Sequence, residues 1–296
     1  MRTLGIILAG GKSSRLYPTT LGVTKQLLPI YDKPLIYYPL ATLMLADIKD
    51  ILIITSPSES DIFKKLLLNS DLGINLHFAT QKEPRGIAEA LSLANFVFGI
   101  DIINFDRTCL ILGDNFFYGS GLTGELRNAI NSDQAVLFGI KVKDPHRFGV
   151  MELGENNIIK SLEEKPIDPK SNLAATGIYF YPPKVYEYVD QVIPSPRGEL
   201  EITDLNRIFL QNKELSAVVL RRGMTWFDTG TFDSMLEASH FVQTLQKQQD
   251  VLIGSPHEVA FNNGWIDAKT LAKFASTCNN DYGSYLKELV IESEQR

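Results

Sequence analysis

Up to Ile140 the chain alternates two kinds of apolar pattern, and that alternation restricts the folds open to it. Short runs rich in β-branched residues fall at Leu4–Ala9, Asp50–Thr55, Ile74–Ala79, Thr108–Leu112 and Ala135–Ile140. Between them, residues with helical spacing occupy Leu35–Ala46, Glu59–Leu68, Gly86–Phe98 and Leu122–Asn131. Runs that are apolar throughout must be covered on both faces. Strand–helix alternation provides the cover by laying helices over a parallel sheet. Pro39 inside the first helical stretch predicts either a kink or a later start.

Beyond residue 145 the pattern changes. Phe148–Leu153, Ile158–Glu163 and Ala174–Tyr181 read as strands, Pro183–Val192 and Thr203–Asn212 as helices, and Leu215–Leu220 and Thr225–Asp228 as further strands. From Thr231 the chain reads as helical, closing with Tyr282–Glu292. No repeat, low-complexity tract or linker interrupts it. The expected fold is α/β: a Rossmann-like, mixed but mainly parallel sheet flanked by helices over 1–230, with an insertion at about 145–230 and a helical region at 231–296. A chain of 296 residues is long enough for such a core and its elaborations.

Charge and composition exclude several classes. The net charge of −6 argues against a nucleic-acid binder held by bulk positive charge. No apolar run reaches the ~18 residues of a membrane span. The opening apolar run is short, follows a single cation and leads into a polar loop, so it reads as a strand and not a signal peptide. Two cysteines, Cys109 and Cys278, predict a reduced cytoplasmic protein. Residues 1–31 hold Arg2, Lys12, Arg15 and Lys25 without one Asp or Glu. A cationic entrance on an acidic protein predicts a small polyanionic substrate drawn to one place.

The loop after the first strand, AGGKSSR at 9–15, has the composition of a phosphate cradle. Small residues let the backbone N–H groups of Gly10 to Ser14 approach an anion closely. It is not a Walker A loop, because GxxxxGK[ST] ending at Ser13 needs a glycine where Ile6 stands. A dinucleotide fingerprint fails as well, since no glycine lies between Gly11 and Gly22. Taken alone, the stretch also admits a lesser reading as a strand-to-helix turn with exposed cations.

The rest of the sequence decides between these readings. TKQLLPIYDKPLIYYPL follows the loop at 24–40. GDNFFYG (113–119), SLEEKP (161–166), TGIYFY (176–181), SPRGELEITD (195–204) and WFDTGTFDS (226–234) follow in turn. In these motifs and their order the chain resembles the sugar-phosphate nucleotidylyltransferases, in particular the branch that transfers a thymidylyl group. The resemblance spans nearly the whole length. It implies Mg²⁺-dependent transfer from dTTP to glucose 1-phosphate, giving dTDP-glucose and pyrophosphate, as the first step of dTDP-L-rhamnose or dTDP-deoxysugar synthesis. It further implies a homotetramer with no nucleic-acid or membrane partner, a sugar-binding role for 145–230 and an interface or regulatory role for 231–296.

Such a reaction needs no general base, because the attacking phosphate oxygen is already an anion. His77, His146, His240 and His257 show neither triad nor metal spacing. What it requires is positioning, and neutralisation of two phosphates that repel each other. The resemblance places Arg15 and Lys25 at the triphosphate and Lys165 at the sugar phosphate. Read alone, the EEKP around Lys165 is a charged turn before a proline. Asp114 and Asp228 each follow a strand, where open α/β sheets bind ligands, and the resemblance makes them the Mg²⁺ ligands. By itself, each is equally an N-cap or turn residue.

Leu8, Gly10, Gly11 and Gln26 are expected to flank the nucleotide, with Gln81 and Gly86 reading the base. A glutamine amide offers a pyrimidine edge one donor and one acceptor. Thymine and uracil differ by one methyl, worth only ~1–3 kcal/mol in a pocket, so UTP stays open as a donor. By resemblance the sugar lies against Asn115, Gly149, Glu164, Ala175 and Tyr179, with Arg197 nearby. A second, regulatory nucleotide site is implied at Tyr118, Gly119, Arg222, Glu258 and Val259. Two departures stand out. Ser13 replaces a glycine of the loop, so it is either strained or part of a loop of different shape in which Lys12 and Ser13 add phosphate contacts. Phe148 replaces a common tyrosine, which leaves room for a sugar other than glucose.

Overall fold

The computed structural model describes residues 1–11 and 13–295; the contacts expected of Lys12 lie outside the described residues. The strands are β1 (Thr3–Leu8), β2 (Pro29–Ile30), β3 (Lys33–Pro34), β4 (Asp50–Thr55), β5 (Asn75–Thr80), β6 (Arg107–Leu112), β7 (Asn115–Gly119), β8 (Ala135–Lys141), β9 (Gly149–Leu153), β10 (Ile159–Glu164), β11 (Leu173–Tyr181), β12 (Leu215–Val219) and β13 (Met224–Asp228). The helices are α1 (Tyr37–Leu45), α2 (Ser60–Leu68), α3 (Glu89–Phe98), α4 (Leu122–Ile130), α5 (Val185–Val189), α6 (Ile202–Gln211), α7 (Phe232–Gln249), α8 (Pro256–Asn262), α9 (Ala268–Ala275) and α10 (Asp281–Glu294).

Nine strands form the central sheet along the path β10-β9-β11-β6-β1-β4-β5, with β8 beside β11 and β12 beside β8. The neighbours β6-β1-β4-β5 are parallel, as are β12 and β8. β11 runs antiparallel to β6, β8 and β9, and so joins the parallel half to the inserted strands. The sheet is therefore mixed, as the pattern change after residue 145 implies.

β1, β4 and β6 are buried on both faces, and alternate residues go to opposite layers, whereas the edge strand β5 has no fully buried residue. Leu4 and Ile6 of β1 join Leu52 and Ile54 of β4 in one core, beneath α3. Ile7 joins Ile51 and Ile53 in the other, beneath α1. A third cluster holds α7 against the β2–β3 hairpin through Ile30, Tyr38, Phe116, Ala238 and Val242.

Pro39 neither kinks nor breaks its helix. The helix begins at Tyr37, so Pro39 lies in the first turn, where its missing N–H has no intrahelical partner to lose. α3 starts at Glu89 and not at Gly86, because Gly86 has φ 104° and the Leu200 backbone covers it. A Cβ on Gly86 would lie 2.3 Å from the Leu200 oxygen. The helix expected at Pro183–Val192 contracts to Val185–Val189. β7 and the β2–β3 hairpin are absent from the sequence reading. β7 lies in GDNFFYG, whose glycines and Asn read as a loop, and each hairpin strand has only two residues.

Candidate active site

The site is assembled from strand ends. β1 runs out at Leu8, and after Ser13 the chain closes on a short 3₁₀ turn, Ser14–Leu16. Ser13 adopts φ 43° and ψ 36°, so the loop does require left-handed backbone at this non-glycine position. Its carbonyl accepts from Leu16 N–H at 3.0 Å and Thr20 Oγ1 at 2.9 Å, which holds the strained residue in place.

The two expected metal ligands arrive from different strands. Asp114 follows β6, and Asp228 ends β13. β13 pairs antiparallel with β7, in a register that sets Asp228 opposite Asn115. Thr229, fully buried, donates its Oγ1 (2.7 Å) and its N–H (3.2 Å) to the Asp114 carbonyl. Beyond it Thr231 opens α7 with a capping box, exchanging hydrogen bonds with Ser234. WFDTGTFDS is thus a strand end, a clamp and a helix start in nine residues.

Charges converge on the pair. The buried Lys25 ammonium contacts Asp114 Oδ2, and Asn115 Nδ2 donates to Asp114 Oδ1 at 2.9 Å. The Arg147 guanidinium lies 3.6 Å from Asp228. Burial pushes the Asp114 carboxyl up, but the Lys25 charge and the hydrogen bonds from Lys25 and Asn115 outweigh it and hold the group below its ordinary range. Asp228 goes the other way: burial, then the Asp114 charge, raise it despite Lys25, Arg147 and Arg15. Two carboxylates that repel each other, with no cluster of three metal ligands among the described residues, leave coordination positions to phosphate oxygens and water. That donor set fits a hard divalent cation.

Two cavities meet here and share Arg15, Ile87, Leu112 and Asp228. The larger, about 460 Å³, runs along Leu8, Gly10, Gly11, Lys25, Gln26 and Asp114. The smaller, about 180 Å³, is walled by Asn115, Gly149, Glu164, Lys165, Ala175 and Tyr179. Their sizes rank as a nucleoside triphosphate and a hexose phosphate would. None of the four histidines lines either cavity. His257 is buried against Phe274 in the C-terminal region, where burial depresses it to about 3.

In the smaller cavity Glu164 Oε2 accepts from Thr203 Oγ1 at 2.5 Å, and Lys165 Nζ lies 3.3 Å from Glu164 Oε1. Lys165 itself has φ 43°. Its N–H donates to the Phe148 carbonyl, which fixes the turn. Tyr179 is buried, and burial followed by the nearby Glu164 and Asp114 charges raises its hydroxyl above the ordinary value. Phe148 packs edge-on against Trp226 at 5.1 Å, so the position lacking the tyrosine hydroxyl is an aromatic wall.

Several expected residues sit differently. Asn115 reaches the smaller cavity, but its amide is engaged by the protein: Oδ1 accepts from Gly177 N–H (3.1 Å) and Trp226 Nε1 (2.5 Å). It is a brace. A Cβ on Gly177 would come 2.5 Å from that oxygen, so only glycine fits there. Arg197 lines neither cavity, because Glu201 at 2.8 Å and Glu199 at 3.5 Å hold its guanidinium. Gln81 and Gly86 do not line the larger cavity: Gln81 is buried behind Gly10, which does, and its Nε2 reaches the Gly86 carbonyl at 3.4 Å. Tyr118, Gly119, Glu258 and Val259 share a separate cavity of about 280 Å³ between α1, β7 and α8. Arg222 does not line it, being exposed on the turn between β12 and β13.

Sequence reasoning missed Arg147, Thr203, Trp226 and Ile87. Arg147 is the cation immediately before Phe148, a position already singled out, and Trp226 stands inside a quoted motif. Thr203 likewise stands inside the quoted motif at 195–204, whereas Ile87 carries no local signal.

Comparison with known proteins follows the same line. A family model described as nucleotidyl transferase matches residues 4–244. A glucose-1-phosphate thymidylyltransferase of Neisseria meningitidis is 50% identical over 97% of this chain and 99% of its own length. One from Mycobacterium tuberculosis is 47% identical over 97% and 98%. A crystal structure titled as a putative glucose-1-phosphate thymidylyltransferase from Bacillus anthracis, in complex with a sucrose, superposes with TM-score 0.71 at 38% identity, covering 81% of this chain and 94% of that one. A UDP-glucose pyrophosphorylase complexed with UDP-glucose gives the same TM-score at 23% identity and shares the fold.

Proposed function

The chain belongs to the nucleotidyl transferase family, and from that premise we propose that it transfers the thymidylyl group of dTTP to glucose 1-phosphate, giving dTDP-glucose and pyrophosphate. The observation carrying this reading is the meeting of a long cleft and a hexose-sized cavity at one pair of carboxylates, Asp114 and Asp228, ringed by Lys25, Arg15 and Arg147.

A phosphate oxygen of the sugar phosphate forms a bond to the α-phosphorus of dTTP. The bond from that phosphorus to the oxygen bridging to the β-phosphate breaks, and pyrophosphate leaves with the electron pair. The nucleophile is already anionic, so no histidine or thiol is called for. Arg15 and the backbone N–H groups of Gly10 to Ser14 hold the triphosphate, and Arg15 takes the charge growing on the leaving pyrophosphate. Lys165 holds the sugar phosphate, while Arg147 and Lys25 offset the repulsion between the two anions. Glu164 accepts from sugar hydroxyls. Enzymes of this family generally use a divalent metal. We assign Mg²⁺ to Asp114 and Asp228, where it would neutralise phosphate oxygens when bound.

dTTP is the preferred donor, with UTP weaker by the worth of one methyl. The product feeds deoxysugar synthesis in the cytoplasm. The helical region 231–296 serves subunit contact in a homotetramer, and the cavity at Tyr118, Gly119, Glu258 and Val259 takes an inhibitory nucleotide. No helix of the described residues is long and apolar enough to cross a membrane. A pyrophosphate-release panel crossing dTTP and UTP with several sugar 1-phosphates, with and without Mg²⁺, tests the assignment. The expected result is fastest release from dTTP with glucose 1-phosphate, and only with the metal. No release from any pair in Mg²⁺ would overturn it.

A further inference from the structure

Gln81 follows β5, where its N–H continues the parallel ladder to Thr55, and it is buried. Its side chain is not free to turn. Nε2 donates to Glu89 Oε2 at 2.6 Å and reaches the Gly86 carbonyl at 3.4 Å. Glu89 opens α3 and is itself paired, Oε1 lying 3.2 Å from Arg85 Nε. Both partners on this side are pure acceptors: neither a carboxylate nor a backbone carbonyl has a hydrogen to give. The two ends of a glutamine amide look nearly alike in shape, and here the partners alone decide which is which. The NH₂ must face Glu89, and Oε1 must face the other way.

That other way is toward Gly10, which lines the nucleotide cleft. Oε1 lies 3.4 Å from where a Cβ of Gly10 would stand, and no donor among the described residues reaches it. The cleft is therefore offered an acceptor at this point. A thymine or uracil ring carries a matching donor, the imide N3–H. Cytosine carries a lone pair at the same ring position and would set acceptor against acceptor.

We propose that Glu89 is a specificity-determining positioning residue: by fixing the Gln81 amide, it selects an imide-bearing pyrimidine over cytosine. The assignment rests on Gln81 being the base contact of the proposed reaction. Glu89 touches neither substrate nor reacting atoms.

The test compares Glu89→Leu, which removes the acceptor, with Glu89→Gln, which can still turn a carbonyl to Gln81. The readout is the ratio of kcat/KM for dTTP to that for dCTP, with glucose 1-phosphate as acceptor. Glu89→Leu is expected to lower the ratio about tenfold through the nucleotide KM, the worth of one hydrogen bond. The KM for glucose 1-phosphate stays as in the wild type, and Glu89→Gln restores most of the ratio. Calorimetric titration with dTTP and dCTP reads the same preference without turnover. An unchanged ratio in Glu89→Leu, or an equal loss on both nucleotides, would overturn the role of Glu89. A wild type inactive on dTTP and glucose 1-phosphate overturns the proposed reaction and this assignment with it. An active wild type whose ratio survives Gln81→Leu overturns only the base contact and what is built on it.

Discussion

Thr229 gives both its hydroxyl and its backbone N–H to one acceptor, the carbonyl oxygen of Asp114, across 115 residues of chain. Asp228 is the residue immediately before Thr229, so this clamp sets the distance between the two carboxylates. Thr229→Val keeps the shape and one of the two bonds. It is expected to cost about 1 kcal/mol of stability. It should also lower kcat by about 10–100-fold with little change in the nucleotide KM, since small displacements at reacting centres are costly. Steady-state kinetics beside a denaturant titration would check it; an unaltered kcat would show that β7 and β13 hold the pair unaided.

The two carboxylates carry opposite signs in stability. Asp114 is held below its ordinary range, so its contribution is present above the unfolded value near 4 and fades as pH falls through the lower folded value. Asp114→Asn strips the buried Lys25 of its partner and should cost roughly 2–3 kcal/mol at pH 7. Asp228 is raised, so the fold binds its proton more tightly than the unfolded chain does, and the ionised form costs stability above the folded value. Asp228→Asn should therefore be more stable than wild type at pH 7. The gain should vanish on acidification toward pH 4. Urea midpoints in chelator across this range measure both effects, and matching signs for the two variants would refute the account.

Ser13 adopts a backbone conformation that glycine accepts freely. Ser13→Gly is expected to stabilise the protein by about 0.5–1 kcal/mol, the left-handed penalty less the extra freedom of glycine in the unfolded chain. Thermal melting reads this directly. Turnover should stay within about threefold if the loop acts through its backbone N–H groups.

Glu164 is the acceptor facing the smaller cavity, with Thr203 and Lys165 fixing its two oxygens. Glu164→Gln is expected to raise the KM for the sugar phosphate about tenfold, since hydrogen bonds to a charged partner are worth more than neutral ones. The dTTP KM should not move. Equal changes in both constants would place Glu164 outside sugar binding.

The sequence alone determined the strands of the parallel half and the helices that cover them. Those elements are local, and apolar periodicity writes them directly: Asp50–Thr55 matches residue for residue, and β1, β6 and β8 differ by no more than one residue at either end. It also marked Asp114 and Asp228 at strand ends and Arg15 in a loop of cradle composition, while Lys25, Glu164 and Lys165 were marked only by the resemblance of their motifs to a known family. Tertiary structure alone decided which of these meet. Lys25 finds Asp114 across 89 residues, and Thr229 joins two strands whose pairing has no local signature. Arg197 is drawn away by two glutamates, and Asn115, while lining the smaller cavity, is braced by Gly177 and Trp226. Ser13 shows the division most plainly. Its identity marks the loop as unusual, but its left-handed φ is set by Leu16 and Thr20, which pull on its carbonyl from farther along the chain. Periodicity lies within a window of neighbouring residues. Hydrogen-bond partners, burial and charge depend on how those windows stack, and stacking is a property of the whole fold.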